Sequence, residues 1–562
     1  MKKHLLVWGL TVLCFSYAQS QSTNAPLNRD YYHLIDRYEI KSSELSGTFH
    51  SSVKPYTRRA IANFADSVRT MDIRLSGRDR FNLEYLSNDN WEWSTSDTYL
   101  SRRSFLGMYK AKSDLFHVDT EEFDLHVNPV LYLSMGAENE VEGRPFINTR
   151  GAEIRGMINR KVGFYTFVGE NQALFPEYVN DRIFGQYRAV PGEGFWKKYG
   201  DGRAVDFFTA RGYISVNATK AINVQFGHDR FNIGNGYRSM ILSDFAHNYL
   251  FMKLNTKVWK LNYTNIFAEM YGDAYGSVGG SLASRFPKKY MAFHHLSLNI
   301  GKSFNIGLFE SIMFGSDPAT GSSGFEFTYL NPIIFYRAIE QQGGSQDNAI
   351  LGADFKWNLL NRFSLYGQWV LDEFKMDHIR AKDGWWANKY AGQLGLKYID
   401  VLGLQNLDIQ LEYNFARPFT YSHDSPYSNY AHYLQPLAHP LGANFTEKIF
   451  LVRYQPLNRL HLTGKVINAN FGEDPAGQTM GGDILKSYRT RTKDFGNEIG
   501  QGINTTTMFY NFTASYMLRH NLFIDLKQIY RTKDQEDFIT TEKTIFTSIA
   551  LRLNIQRREQ EF

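Results

Sequence analysis

Groups of aromatic residues beside charged and amide side chains carry the clearest chemistry in this sequence. The stretch "AKDGWWANKY" contains Trp385 and Trp386, and "PGEGFWKKYG" contains Phe195, Trp196 and Tyr199. A flat ring next to an Asp, Asn or Arg binds a pyranose both through the apolar C–H face of the sugar and through its hydroxyl edge. A third stretch, "RPFTYSHDSPYSNYAHYLQPLAHPLG", adds Tyr421, Tyr427 and Tyr430. These rings are candidate glycan contacts, with packing between loops or at a membrane interface as the alternative.

No constellation of catalytic residues is visible. The sequence has no G-x-S-x-G elbow, no H-E-x-x-H helix and no glycine-rich nucleotide loop. The third aromatic stretch holds four potential metal ligands whose spacing fits no established site: His423, Asp424, His432 and His439. We therefore expect a protein that is not an enzyme and uses no metal or cofactor. A barrel lipase, whose Ser, His and acid converge only in three dimensions, is the alternative.

The elements that position these rings are β-strands. In "TIFTSIALRLNI" (544–555), Ile545, Ile549 and Leu551 alternate with residues such as Ser548 and Arg552, and this period of two predicts a strand. The stretch "LDIQLEYNFARP" alternates even more cleanly. In a soluble sandwich the apolar side would face a core, whereas in an outer-membrane barrel it would face lipid.

Loop length decides between these two folds. The predicted connections alternate between long and short, with tight turns at positions such as Arg160-Lys161, Asn255-Thr256 and Gly301-Lys302. An outer-membrane barrel sorts its connections in this way, with short periplasmic turns and long external loops. We therefore predict an all-β transmembrane barrel of about 18 antiparallel strands. The strands are predicted to start near residues 121, 149, 161, 205, 220, 248, 257, 290, 302, 348, 362, 388, 406, 445, 459, 506, 521 and 543.

The residues before the first strand divide into two parts. Residues 1–18 have two lysines, an apolar stretch and a small-x-small site, which is typical of a secretory signal peptide and predicts export to the outer membrane. Residues 19–118 are predicted to form a helical periplasmic or plug region, with short amphipathic helices at 28–40, 54–69 and 76–86. Pro55 is predicted at a first helical position and Ser76 at an N-cap. The barrel is predicted to span 119–562.

Composition limits the remaining function classes. The single cysteine, Cys14, lies in the predicted signal peptide, so the exported chain has no thiol or disulfide chemistry. A net charge of +5 over 562 residues does not indicate a nucleic-acid partner. The mean hydropathy of −0.39, without a further run of roughly 20 apolar residues, excludes a bundle of membrane helices.

Two segments resemble the Wzi-like capsule-assembly family, including its gliding-associated relatives of the RemB type in Bacteroidota. They are "GHDRFNIGNGYRSMILSDFAHNY" (227–249) and "YLNPIIFYRAIEQQGGSQDNAILGADFKW" (329–357), and the second is followed by "LYGQWVLDEF" (365–374). The resemblance implies a barrel whose helical N-terminal part seals the periplasmic mouth and whose outer surface binds and anchors capsular polysaccharide. Within the second segment we predict a polar network at the outer mouth that orders a loop, touches sugar hydroxyls or braces the lumen: Arg337, Glu340, Asp347 and Asn348.

Three functions compete at this point. The first is a non-enzymatic lectin that anchors capsular or exopolysaccharide at the cell surface, and the second is an outer-membrane channel or transporter. The third is a barrel subunit of a gliding or secretion complex. All three imply contact with outer-membrane lipid and lipopolysaccharide and with the barrel-assembly machinery. The C-terminal "QRREQEF" breaks the strand alternation, so the assembly signal is expected in the strand before it rather than at Phe562.

Overall fold

Eighteen antiparallel strands close into a barrel. The computed structural model describes residues 21–561 except 103, 105–106, 140–142, 186–187, 201, 273–286, 316–325, 335–346 and 538–539, so the predicted signal peptide and Phe562 lie outside the described residues. The wall strands are β1 (Phe123–Glu138), β2 (Phe146–Ile158), β3 (Val162–Leu174), β4 (Ala204–Asn217), β5 (Ile222–Asp229), β6 (Tyr249–Val258), β7 (Leu261–Tyr271), β8 (Lys288–Ile300), β9 (Phe304–Gly315), β10 (Asn348–Leu359), β11 (Phe363–Glu373), β12 (Lys389–Tyr398), β13 (Leu407–Ala416), β14 (Phe445–Leu457), β15 (Leu460–Glu473), β16 (Ile503–Arg519), β17 (Leu522–Gln535) and β18 (Glu542–Leu553).

Each wall strand pairs with its neighbours in sequence, and β18 pairs with β1 to close the cylinder. The closing register runs from Phe546 opposite Glu138 to Leu553 opposite Leu131. Closure leaves no free edge in the wall. The prediction of an 18-stranded barrel is confirmed, and every predicted strand start lies within about four residues of the observed one.

Side chains alternate between the two faces of the wall as the sequence predicts. In β18, Ile545 and Ile549 are 46% and 56% exposed, whereas Phe546, Ser548 and Arg552 point inward and are buried. The outer face is therefore apolar and the lumen is polar. In the described part of the chain, no helix is both long and apolar enough to cross a membrane.

The connections are sorted between the two ends of the barrel. Turns such as 159–161, 301–303 and 520–521 form the short-turn end, and loops such as 175–203, 417–444 and 474–502 form the long-loop end. The predicted turn at Asn255-Thr256 is wrong, because both residues belong to β6 and the turn lies at Trp259-Lys260. Asn255 is held in the ladder by a side-chain hydrogen bond from its Nδ2 to Oδ1 of Asn262 (3.1 Å).

In the described residues before the barrel there are three α-helices: α1 (Arg29–Ser42), α2 (Arg58–Thr70) and α3 (Gly77–Asp89). Ser76 caps α3 in a capping box with Asp79, as its sequence position predicts. Pro55 lies before the helix rather than at its first turn, because Thr57 is the N-cap of α2 and accepts a hydrogen bond from the Ala60 amide. The helices share a hydrophobic core of their own that includes Tyr38, Ile61, Phe64 and Leu86.

The helices lie against the short-turn end of the barrel. Arg37 on α1 forms ion pairs with Asp79 on α3, with Asp400 in the β12–β13 turn and with Asp408 on β13. Lys41 bonds Asp79 (2.8 Å) and Asp400 (2.7 Å). Further contacts reach other turns, namely Tyr85 to Asn521, Lys302 to Glu44 and Arg78 to the Pro456 carbonyl. This arrangement accounts for the basic residues of the helices, although the domain boundary at 118/119 and the periplasmic position remain predictions.

We expect the attachment of these helices to weaken in acid. Burial opposes ionisation of Asp400, but Arg37 and Lys41 outweigh it and lower the pKa of Asp400 to about 2, against about 3.9 in an unfolded chain. A carboxylate with a lowered pKa stabilises the fold above the unfolded value, and this contribution is lost as the pH falls through about 2. Allowing for partial solvent exposure, Asp400→Asn should destabilise the attachment by about 1–2 kcal/mol at pH 7.

The measurement is limited proteolysis of the helices, comparing Asp400→Asn with the parent chain at each pH. The difference should be full at pH 6 and largely lost at pH 2, where about half of the Asp400 carboxyls in the folded parent are protonated. Asp119→Asn, which alters an exposed pair with Arg160, is the control and should behave like the parent. A difference that persists unchanged at pH 2 would contradict the electrostatic cause.

Candidate functional site

An aromatic cluster lies at the long-loop end, between the β11–β12 and β15–β16 loops. We define the tryptophan cluster as Trp385, Trp386, His378, Tyr488 and Phe495. Within it the ring centroids of Trp385 and His378 are 4.6 Å apart, those of Trp386 and Tyr488 are 4.9 Å apart, and the two tryptophan rings are 6.2 Å apart. Both tryptophans are half-buried and Phe495 is 53% exposed. Parts of several rings therefore remain open to a ligand.

Backbone contacts fix the two loops to each other. The Trp386 amide donates to the Asp494 carbonyl (2.8 Å), and the Asn497 amide donates to the Gly384 carbonyl (2.9 Å). Gly384 has φ +67°, and a Cβ there would lie 2.6 Å from the Asn497 nitrogen, so this position requires glycine. The "DGWW" sequence thus sets the tryptophans at a close loop crossing.

Charged groups surround the rings. Arg491 lies 4.2 Å from the Trp386 ring centroid, and the Lys389 ammonium lies 4.4 Å from that of Tyr488. His378 hydrogen-bonds Asp383 (2.6 Å), and this bond lowers the pKa of the Asp383 carboxyl. Arg491 also pairs with Asp494 (2.6 Å). Apolar ring faces beside carboxylates and cations match the two kinds of surface that a sugar presents.

The second predicted group, Phe195, Trp196 and Tyr199, lies on a different loop. Trp196–Tyr199 is a short strand that pairs with Ala204–Phe207 at the start of β4. Phe195 and Tyr199 are 47% and 43% exposed, whereas Trp196 packs edge-on against Phe184 and donates from Nε1 to the Arg188 carbonyl (2.9 Å). Their role as glycan contacts stays a prediction.

Two of the three predicted tyrosines do not reach the surface. Tyr421 and Tyr430 are fully buried and stack at 5.8 Å, and the Tyr421 hydroxyl donates to the Met240 carbonyl (2.6 Å) inside the barrel. The expectation that these two rings offer a face to a sugar does not fit their burial. Their loop folds inward because its polar backbone is paired there, for example in the bond from the Tyr421 amide to Asp372 (2.8 Å). Tyr427 is half-buried.

The predicted polar network is described only in part, because Arg337 and Glu340 lie outside the described residues. Asp347 accepts a hydrogen bond from the Tyr329 hydroxyl (2.5 Å). Asn348 is buried at the start of β10. Both residues therefore lie at the long-loop end of the wall, and their part in a network stays a prediction.

The histidines of the third stretch have separate partners. His423 pairs with Asp424 (2.7 Å), His439 bonds Glu447 (2.8 Å), and His432 contacts the Asn248 carbonyl (3.1 Å). Among the residues that the structure describes, no group of three or more His, Cys, Asp or Glu side chains is arranged to hold a metal ion.

Sequence reasoning missed two segments that fill the lumen. Residues 230–248, between β5 and β6, cross the interior, where the Tyr237 and Arg238 amides donate to Glu412 (2.6 and 2.9 Å) and Arg238 pairs with Glu447 (3.0 Å). Their signal in the sequence is the Gly-, Asn- and Ser-rich break in alternation that also carries the family resemblance.

The second segment is residues 554–561, which follow β18 and turn back inside the barrel. Arg557 pairs with Asp30 (2.7 Å), Arg558 with Glu193 (3.1 Å) and Glu561 with Arg238 (2.6 Å). The predicted loss of alternation after Ile555 is therefore real and marks a lumenal tail. The helices, residues 230–248, this tail and the 417–444 loop together occupy the barrel interior.

An even-numbered, closed antiparallel barrel with an apolar outer face, a polar lumen and connections sorted by length defines the fold class of outer-membrane β-barrels. No protein-family model matches the sequence, and no curated protein matches it.

Solved structures of outer-membrane proteins share this fold. Wzi of Escherichia coli, an outer-membrane protein involved in group 1 capsule assembly and a carbohydrate-binding β-barrel, aligns with a TM-score of 0.58 at 13% identity. The alignment covers 96% of this chain and 100% of Wzi. At this identity the likeness establishes a Wzi-like barrel fold and not family membership.

Two further structures align more weakly. OprD of Pseudomonas aeruginosa has a TM-score of 0.42 at 12% identity, covering 76% of this chain and 94% of OprD. OccAB1 of Acinetobacter baumannii has a TM-score of 0.40 at 10% identity, covering 76% and 96%. These scores are too low to support an argument about this chain.

Proposed function

We propose that this protein is an outer-membrane lectin of the Wzi type, which binds capsular or exopolysaccharide at the long-loop end and anchors it without enzymatic activity. The observation that carries the proposal is the tryptophan cluster, with partly open rings beside Asp383, Asp494 and Arg491 on a fixed loop crossing. The carbohydrate-binding activity of Wzi, a protein with the same fold, supports it. A place in gliding or secretion, with protein partners there, is a further role compatible with the same surface.

The contents of the lumen favour anchoring over transport. A diffusion channel needs a continuous water-filled path. In this barrel, residues 230–248 cross the interior and contact both the wall and the helical region. They meet the wall through Glu412 and Glu447, and they meet the helical region where Val53 and Ile233 form a strand pair. Moving these segments would expose several buried ion pairs at once.

Two measurements test the proposal. Cells lacking the protein should release surface polysaccharide into the medium, and the purified barrel should bind that polysaccharide in a pull-down assay. In planar bilayers the barrel should give no steady conductance above the lipid baseline. Large steady currents together with normal polysaccharide retention in the deletion strain would instead support the channel.

If the outer face of the barrel contacts lipid, a charged side chain there should lower the free energy of unfolding, and most strongly near the middle of the bilayer. Ile549, near the middle of β18 and 56% exposed, should face the hydrocarbon core. Ile549→Arg should lower the free energy of unfolding in lipid vesicles by about 2–4 kcal/mol. The matched control is Ile499→Arg, which places the same change at a 36% exposed position in the β15–β16 loop and should cost less than about 0.5 kcal/mol. Denaturant titration in vesicles measures both, and equal costs would contradict the lipid-facing assignment.

A further inference from the structure

A cavity with a volume of about 180 Å³ lies inside the barrel, between the start of α1, the lumenal tail and the walls. Nine arginines and six carboxylates line it. Each of the six carboxylates pairs with an arginine, as Asp30 does with Arg557 (2.7 Å) and Glu193 with Arg558 (3.1 Å). The lining therefore carries more positive than negative charge.

Three of the arginines account for the excess: Arg211 on β4, Arg230 after β5 and Arg453 on β14. Within the described residues, none of the three has a carboxylate within 4.0 Å of its guanidinium nitrogens. Arg453 donates to the Gln410 amide oxygen (3.1 Å), Arg230 donates to the Gly192 and Ala246 carbonyls, and Arg211 lies over the Phe167 ring at 4.3 Å. The Nε of each is buried and has no hydrogen-bond acceptor there.

Enclosing these cations is costly, since burial removes their hydration and the carbonyl, amide and ring contacts replace only part of it, with no carboxylate in direct contact. At Arg230, burial disfavours the charged guanidinium and lowers its pKa, although the nearby Glu193 and Asp244 act in the opposite direction. The guanidinium fork matches the oxygens of phosphate-type anions in pairs. Since a water molecule occupies about 30 Å³, the space admits such an anion with several waters.

The three arginines come from separate parts of the wall. Gly212 on β4 pairs with His228 on β5, so Arg211 lies opposite Asp229 and close to Arg230, the residue that follows β5. Arg453 belongs to β14, which is not adjacent to β4 or β5 in the wall. An anion between them would join these walls to the tail, because Arg557 and Arg558 line the same cavity.

We propose that this cavity is a binding site for a multiply charged phosphate-type oxyanion, held by Arg211, Arg230 and Arg453. The site is distinct from the tryptophan cluster and does not depend on the proposed glycan binding. The bound anion supplies negative charge to the three arginines and so holds the helices, the tail and the wall in one arrangement.

The test uses the full chain refolded into detergent in the presence of radiolabelled inorganic phosphate, because the helices and tail enclose the cavity. After removal of free phosphate by rapid gel filtration, the parent should retain about one phosphate per chain. Its thermal unfolding midpoint should rise saturably with phosphate, relative to chloride at equal ionic strength. Arg453→Gln and Arg211→Gln should each weaken apparent phosphate affinity at least tenfold.

The two variants also make the opposite prediction without phosphate. Each removes an unpaired buried charge, so in chloride its midpoint should equal or exceed that of the parent. Arg489→Gln, a loop arginine whose side chain is 65% exposed, is the matched control and should bind phosphate like the parent. Heat-modifiable migration in gels confirms that each variant is folded. No saturable uptake by the parent, or equal uptake by the parent and both folded cavity variants, would overturn the proposal.

Discussion

Changing Trp385 and Trp386 together to alanine should release polysaccharide from the cell surface while leaving the barrel intact. Both rings are half-buried at the loop crossing, so a bound sugar would stack on the parts that remain open. Losing two stacking faces should cost at least about 2 kcal/mol of binding free energy, roughly a thirtyfold weaker Kd. The measurement is retention of surface polysaccharide by whole cells, together with binding by the purified protein.

The matched control for this experiment is Trp259→Ala. Trp259 is 76% exposed in the β6–β7 turn, at the opposite end of the barrel from the tryptophan cluster. The control therefore removes a more exposed tryptophan without touching the proposed site, and it should leave polysaccharide retention unchanged. Normal polysaccharide retention by the double variant would show that the tryptophan cluster does not bind the polysaccharide. Equal loss of retention in the double variant and in Trp259→Ala would instead indicate a defect in barrel assembly.

Arg37→Met should detach the helices from the barrel. Arg37 is fully buried and pairs with Asp79, Asp400 and Asp408, so the variant leaves three clustered carboxylates with Lys41 alone to balance two of them. Removing one partner from a buried ion-pair network costs about 3–5 kcal/mol. Residues 29–89 should become sensitive to trypsin, while the wall, whose ladder is untouched, keeps its heat-modifiable migration in gels.

Two related variants separate charge from geometry. Arg37→Lys restores the charge without the planar fork that reaches three carboxylates, so its protease sensitivity should be intermediate. Arg69→Met removes a partly exposed pair with Asp66 on α2 and should change little, since such pairs contribute under about 1 kcal/mol. Helices as resistant in Arg37→Met as in Arg69→Met would show that another contact holds them.

The wall could be predicted from sequence because its signals are local. Whether Ile549 faces outward and Arg552 inward follows from a period of two, and the start of α3 follows from a short capping motif at Ser76. Sorting of the connections by length then identified the barrel. The misplaced turn at Asn255-Thr256 arose because an Asn that faces the wet lumen, as Asn255 does, is also a common turn residue.

The lumen could not be predicted in the same way, because its contacts join residues that are far apart in sequence. Glu412 receives the amides of residues 237 and 238, and Tyr421 turns inward to the Met240 carbonyl. Nothing local distinguishes Tyr421 from an exposed loop ring such as Tyr199. The tryptophan cluster was found as a sequence pattern, but its partners Tyr488 and Arg491 come from a loop about a hundred residues away.

The position of the tail limits the order in which the molecule can be assembled. Residues 554–561 follow the strand that seals the cylinder, yet they lie inside it beside Asp30, which precedes the first strand. The helices and the tail both leave the wall at its short-turn end, so each can reach the interior through that end of the cylinder, and the tail can do so only after β18 has been made. Closure of the wall can therefore precede packing of the interior, and a variant that delays the interior should still form a closed, heat-modifiable wall.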